Sequence, residues 1–389
     1  PHCGRTHQAG GDRHLPCVNL DTLPGVTMTF EPRFLATAIG SMPHATADAA
    51  IDVVLANIPQ APIWPQLSSR GLLEQMEVQY AEGLPRVVID HDKGRMYVDT
   101  TGEYWDDLAV FYETYMLAMD PDDGDGDCSG MAISPQHSAG LHALAARMEA
   151  HLAAGGEPLP FIKVQTTGPC SFTLTITDEN KRLIYYNEEF RDVVVKALAM
   201  KCRWQIQRFQ PFAERIICFV DEPILSAYGS STYVAVQRDD VIAMLEEVIA
   251  AIHADGGIAG IHCCGNTEWS ILVDAGVDLI NFDAYSFGET IAMYAEPIRR
   301  HLEGGGALAW GIVPTSAAVR EETAASLATR FEVLVDHLVE RTGVDRALVL
   351  RQALITPSCG TGSLAVPDAE RVFSLVGELS QLLRERHGF

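Results

Sequence analysis

From Phe34 to the end of the chain, short apolar runs alternate with amphipathic segments, and few architectures accept that pattern. Eight runs read as candidate strands: 34–40, 59–64, 161–167, 215–221, 257–263, 277–283, 307–312 and 351–357. Segments of helical periodicity follow most of them, as at 188–210, 239–254, 288–303, 321–341 and 368–385. Eight strands with intervening helices predict an α/β fold, a single (β/α)8 TIM barrel. A doubly wound open sheet is the alternative, but no glycine-rich nucleotide fingerprint follows the first run. The length of 389 residues exceeds a typical single core, yet α/β barrels commonly run this long as one domain.

Two regions break the alternation. Residues 1–27 are polar, glycine-rich and aperiodic, which reads as a loose tail ahead of a barrel domain over 28–389, with Met28 as a natural start. Cys3 and Cys17 lie there at a spacing that fits no zinc module. Between the second and third runs, residues 66–158 read as an insertion. It holds a helix carrying Glu74 and Gln79, a hairpin over Arg86–Thr100 turning at Asp92-Lys93-Gly94, and a helical stretch over 103–118. Its acidic stretch 120–127 lacks the alternation and closing Glu of a calcium loop and reads as a solvated loop.

Charge narrows the partners. Lys plus Arg number 28 against 52 Asp plus Glu, a formal charge of −24. Such a chain is a poor ligand for nucleic acid or an anionic membrane, because both need clustered Lys and Arg. No apolar stretch reaches transmembrane length and no signal-peptide core is visible. The nine cysteines are scattered, a reduced inventory that fits the cytoplasm better than a disulfide framework.

Catalytic groups of such barrels sit at the C-terminal ends of strands, and these runs end on polar groups in all cases but the seventh. The first ends Ile39-Gly40-Ser41, the fourth Asp221-Glu222-Pro223, the fifth His262-Cys263-Cys264, the sixth Asp283, and the eighth leads to Cys359. His262 and the residue two on, Cys264, point to one side of a strand, while Cys263 points the other way, into core. One imidazole and two thiolates suit zinc, with Asp283 either a fourth ligand or a hydrogen-bond partner of His262. Asp221, after the apolar run 216–220, is placed to pair with a substrate ammonium; capping the next segment is its bland alternative. Ser41 and the Gly40 backbone can donate to a substrate carboxylate or simply form a turn.

Ile39-Gly40-Ser41, Asp221-Glu222-Pro223, His262-x-Cys264, Asp283 and Cys359, in this order, resemble the catalytic barrel of cobalamin-independent methionine synthase, within a wider group that includes uroporphyrinogen-decarboxylase-like methyltransferases. The resemblance covers about residues 34–365. It implies that His262, Cys264 and Cys359 bind zinc and that Asp283 stands at a family glutamate ligand. It implies too that Ser41 and Asp221 hold the amino-acid end of homocysteine, with Ile39, Gly40, Glu74 and Gln79 as further substrate-binding candidates. Three features depart from the family. The ligand carboxylate is one methylene shorter, a second folate-binding barrel is missing, and Val313-Pro314-Thr315 and Cys170-Ser171-Phe172-Thr173 replace family stretches. These departures imply a zinc-dependent methylation of homocysteine to methionine whose donor is a methyl-corrinoid carried on a protein, not a folate. Rival readings are a coenzyme M-like thiol acceptor, a uroporphyrinogen-type decarboxylase, and a non-catalytic zinc-binding protein.

Overall fold

The computed structural model describes residues 30–119 and 126–389. The expected tail over 1–27 and most of the acidic stretch 120–127 lie outside the described residues.

Runs three to eight form six strands: β3 (Leu159–Thr167), β4 (Ala213–Asp221), β5 (Ile258–Cys263), β6 (Leu279–Phe282), β7 (Ala307–Val313) and β8 (Ala353–Pro357). They pair in parallel in sequence order, and the sheet curls into a half-barrel. The first two runs do not become regular strands, so the expected eight-stranded barrel is corrected to six. Each stays extended beside an edge of the sheet. Ile355 N donates to Leu35 O at 2.9 Å and Thr37 N to Ile355 O at 3.1 Å, while Lys163 N donates to Pro62 O at 2.9 Å. Proline explains the second irregularity. Pro59, Pro62 and Pro65 leave a backbone donor missing at every third residue, and a ladder cannot form without donors. The first run starts from Arg33 and Phe34 at φ of 47° and 64°, a left-handed kink incompatible with strand geometry.

The sheet separates two cores by its period of two. Residues such as Val164, Cys218, Ile261, Cys263 and Phe282 pack outward in the main cluster with the helices. Ile217, Phe219, Ile258, Leu279, Ala309 and Leu354 pack inward in a smaller cluster within the curl. The helices carry ordinary start signals. Asn187 caps helix Glu188–Phe209 by accepting from Phe190 N at 3.1 Å, and Thr323 with Ser326 forms a capping box on helix Ala324–Thr342.

The insertion contains the expected hairpin, β1 (Val87–Asp90) and β2 (Arg95–Val98), then helices Trp105–Met119 and Ala139–Ala153. It is tied to helix Glu188–Phe209, where Tyr112 Oη donates to Asp192 at 2.7 Å and Arg203 to Ala118 O at 2.9 Å. At Gly140 the helix Ala139–Ala153 touches the backbone after the second run. A Cβ there would lie 1.9 Å from the Pro65 carbonyl oxygen. Gly140→Ala, which normally favours a helix, is therefore expected to destabilise the protein by about 1–3 kcal/mol. A denaturant midpoint equal to or above that of the parent overturns that contact. No helix of the described residues is long and apolar enough to cross a membrane, and the seven cysteines among them are free.

Candidate metal and substrate site

The inward-facing positions become polar toward the C-terminal ends of the strands. Parallel register sets Thr167 beside Asp221, Asp221 beside His262, and His262 beside Asn281. Four strands thus contribute one row to the mouth of the curl.

His262 is the last residue but one of β5, Cys264 follows the strand, and Cys359 lies just past β8. One ligand atom from each falls within 4.8 Å of the other two. His262 is 3% exposed, its Nδ1 is hydrogen-bonded to Asn281 Oδ1, and its Nε2 is buried without a partner. The neighbouring Cys359 and His262 hold the Cys264 thiol down at about 4. The same neighbour pushes Cys359 up, so the two sulfurs titrate as a pair. An orphaned imidazole nitrogen beside two adjacent sulfurs fits zinc, and the three together leave a fourth tetrahedral position.

Cys359 is held by its loop. Thr315 N donates to Ser358 Oγ at 3.1 Å, and Thr361 N donates to Ser41 O at 2.8 Å. Gly360 faces Ser41 so closely that a Cβ would lie 2.0 Å from Ser41 Oγ. This contact joins the turn after the first run to the loop after β8.

Beside the three metal-site residues lies a cavity of about 230 Å3, lined also by Ile39, Ser41, Gln66, Glu74 and Asp221. That is small for a ligand pocket and suits an amino-acid-sized molecule. Asp221 closes β4, is 4% exposed, and its Oδ1 is buried without a hydrogen-bond partner. Burial raises its pKa, and the charge of Lys163 works against that rise. Lys163 is fully buried below it, donates to Ile39 O and to Gln165 Oε1, and is pushed down to about 8 by burial. Arg70 Nε donates to Glu74 Oε1 at 2.6 Å, and burial still raises the Glu74 carboxyl.

The other sequence candidates stand back from the cavity. Gly40 accepts Gln66 N through its carbonyl at 2.9 Å, and Gln79 accepts from Gln66 Nε2 at 3.0 Å, so both support Gln66 rather than line the space. Asp283 lies near Cys264, which helps raise its pKa after burial, but it is outside the three-residue ligand group. Its Oδ1 accepts Ser286 N at 2.8 Å and caps the short helix Ala284–Phe287. The partner of His262 is Asn281, not Asp283. Glu222 faces away from Asp221, accepts from Cys170 N at 2.9 Å and Ser171 N at 2.7 Å, and is raised by burial to about 7. Sequence reasoning missed Lys163 and Asn281. For Asn281 the signal was present, a polar residue two before Asp283 on an otherwise apolar strand; Lys163 shares its strand with Gln165, Thr166 and Thr167, and nothing in the pattern singled it out.

No family model matches the sequence, and no curated protein matches it. Solved structures do match in fold. A protein of Listeria monocytogenes, described as a candidate vitamin B12-independent methionine synthase, is similar over 91% of this chain and 98% of its own, at 12% identity and a TM-score of 0.52. A B12-independent methionine synthase from Shewanella sp. W3-18-1, solved with selenomethionine, is similar over 62% of this chain and 67% of its own, at 15% identity and a TM-score of 0.42. Both are described as independent of B12, and neither likeness lends support to the methyl-corrinoid donor or the corrinoid-protein partner expected above. The chain shares the fold of the Listeria monocytogenes protein along nearly its whole length.

Proposed function

We propose that this protein is a zinc-dependent thiol methyltransferase that converts homocysteine to methionine. One observation carries the reading: the orphaned His262 Nε2, the paired thiols of Cys264 and Cys359, and the unpartnered Asp221 Oδ1 meet at one amino-acid-sized cavity. His262, Cys264 and Cys359 would hold the zinc, which would lower the pKa of a bound thiol from about 8.5 and so supply a thiolate at neutral pH. Asp221 pairs with the substrate ammonium, and Ser41 takes the carboxylate end. Free thiols at this centre suit a reducing compartment such as the cytoplasm.

The donor class in this reading is an N-methyl folate; its support is that the protein whose fold this chain shares is described as a candidate B12-independent methionine synthase. The sulfur lone pair forms the S–C bond, the N–C bond breaks with its pair onto the folate nitrogen, and that nitrogen gains the proton the thiol lost. A uroporphyrinogen-type decarboxylase is disfavoured, because Arg and Lys are absent from the cavity lining among the described residues. The test is the zinc-loaded protein with homocysteine and methyltetrahydrofolate, assayed for methionine by mass spectrometry. Methionine formed in proportion to enzyme is the expected result. Zinc-loaded protein that neither forms methionine nor binds homocysteine sinks the reading.

A further inference from the structure

We propose that Asn281 is a positioning residue for the metal centre: its side-chain amide selects the ring orientation and tautomer of His262 that turn a free Nε2 lone pair toward the metal. This rests on the zinc reading above, not on methyl transfer.

The hydrogen bonds around one buried amide fix its orientation. Asn281 lies on β6, fully buried. Its Nδ2 donates to the Ala309 carbonyl on β7 at 3.0 Å and to Thr356 Oγ1 on β8 at 2.8 Å. A backbone carbonyl only accepts, so the Ala309 contact requires the NH2 group on that side and settles which way the amide faces. The amide oxygen therefore faces His262 Nδ1. An oxygen there only accepts, so Nδ1 carries the hydrogen, and in the neutral ring Nε2 does not. Nε2 is also the buried ring atom without a partner, which leaves it as the ring's lone pair for a metal shared with Cys264 and Cys359. The opposite amide orientation would present a donor to Nδ1 and force the hydrogen onto Nε2, where it blocks metal binding.

The same amide links both arms of the centre. Register pairs Asn281 with His262 on β5 and with Ala309 on β7. Thr356, its second acceptor, lies on the strand that leads to Cys359. One side chain thus ties the imidazole ligand to the strand carrying the distant thiol, and partners of ligating histidines typically hold the ring and its basicity in this way.

The test uses the full metal-free chain. Histidine-labelled 15N spectra near neutral pH should show the His262 ring, assigned with His262→Gln, in the Nδ1–H tautomer. Asn281→Leu should shift it toward Nε2–H. Zinc affinity, measured by competition with a chromophoric chelator, should fall about 10- to 100-fold in Asn281→Leu. The cobalt-substituted protein should show altered d–d absorption in that variant. Thr356→Val removes the second acceptor but keeps the Ala309 one, so the Nδ1–H tautomer should persist and zinc affinity should fall less than in Asn281→Leu, which separates positioning from a general loss of packing. An Nε2–H tautomer in the parent protein overturns the proposal even if Asn281→Leu fails to fold, and so does unchanged zinc affinity in a folded Asn281→Leu. Failure of the methylation assay leaves these readouts intact, so the two hypotheses fail separately.

Discussion

Cys264→Ser and Cys359→Ser should each abolish stoichiometric zinc binding, from about one zinc per chain to below about a tenth after gel filtration. A serine hydroxyl stays protonated at neutral pH and cannot replace a thiolate, and the remaining imidazole and single sulfur make too few ligands. Cys359→Ser also removes the neighbour that holds the Cys264 thiol down. Elemental analysis reads the metal directly. The stabilisation that zinc gives the parent protein in a thermal melt should vanish with it, because a ligand that binds only the folded state stabilises by mass action. Full zinc retention in both variants sinks the metal assignment. Loss in one alone means that the other thiol belongs to the cavity wall.

Asp221→Asn is expected to cut kcat/KM for homocysteine by about 2–4 kcal/mol, roughly 30- to 1000-fold, with zinc content unchanged. The carboxylate is buried with an orphaned oxygen, which is unfavourable unless a cation completes it. Lys163 supplies charge from below but spends its hydrogen bonds on Ile39 and Gln165. The substrate ammonium is the missing donor, and an ammonium–carboxylate bond is stronger than a neutral one. A thiol without an amino group should lose little in the same variant. That contrast also separates homocysteine from a coenzyme M-like acceptor, which has no ammonium to offer. Equal losses for both thiols assign Asp221 to the zinc surroundings or the sheet instead.

Some of this was legible in the sequence because it is local. Strand alternation has a period of two, so an apolar run ending on His262-x-Cys264 announces its polar face without knowledge of its neighbours. The same holds for Asp221 after 216–220, for the hairpin around Asp92-Lys93-Gly94, and for Cys263 as core. The prolines at 59, 62 and 65 were equally readable and should have argued against a second regular strand.

What tertiary structure alone decided concerns which side chains meet. Asp283 was in phase with the proposed metal ligands, yet its carboxylate caps a helix that begins one residue later, a local competitor that pattern reading does not weigh. Asn281 became the partner of His262 through the register of β5 against β6, and its amide was oriented by a carbonyl on β7. Gln79 was withdrawn from the cavity by Gln66, and Glu222 by the turn at Cys170 and Ser171. Residue type and phase along one strand follow from covalent geometry, which the sequence carries completely. Register between strands depends on packing among segments far apart in the chain, and a hydrogen bond goes to whichever acceptor that packing brings within reach.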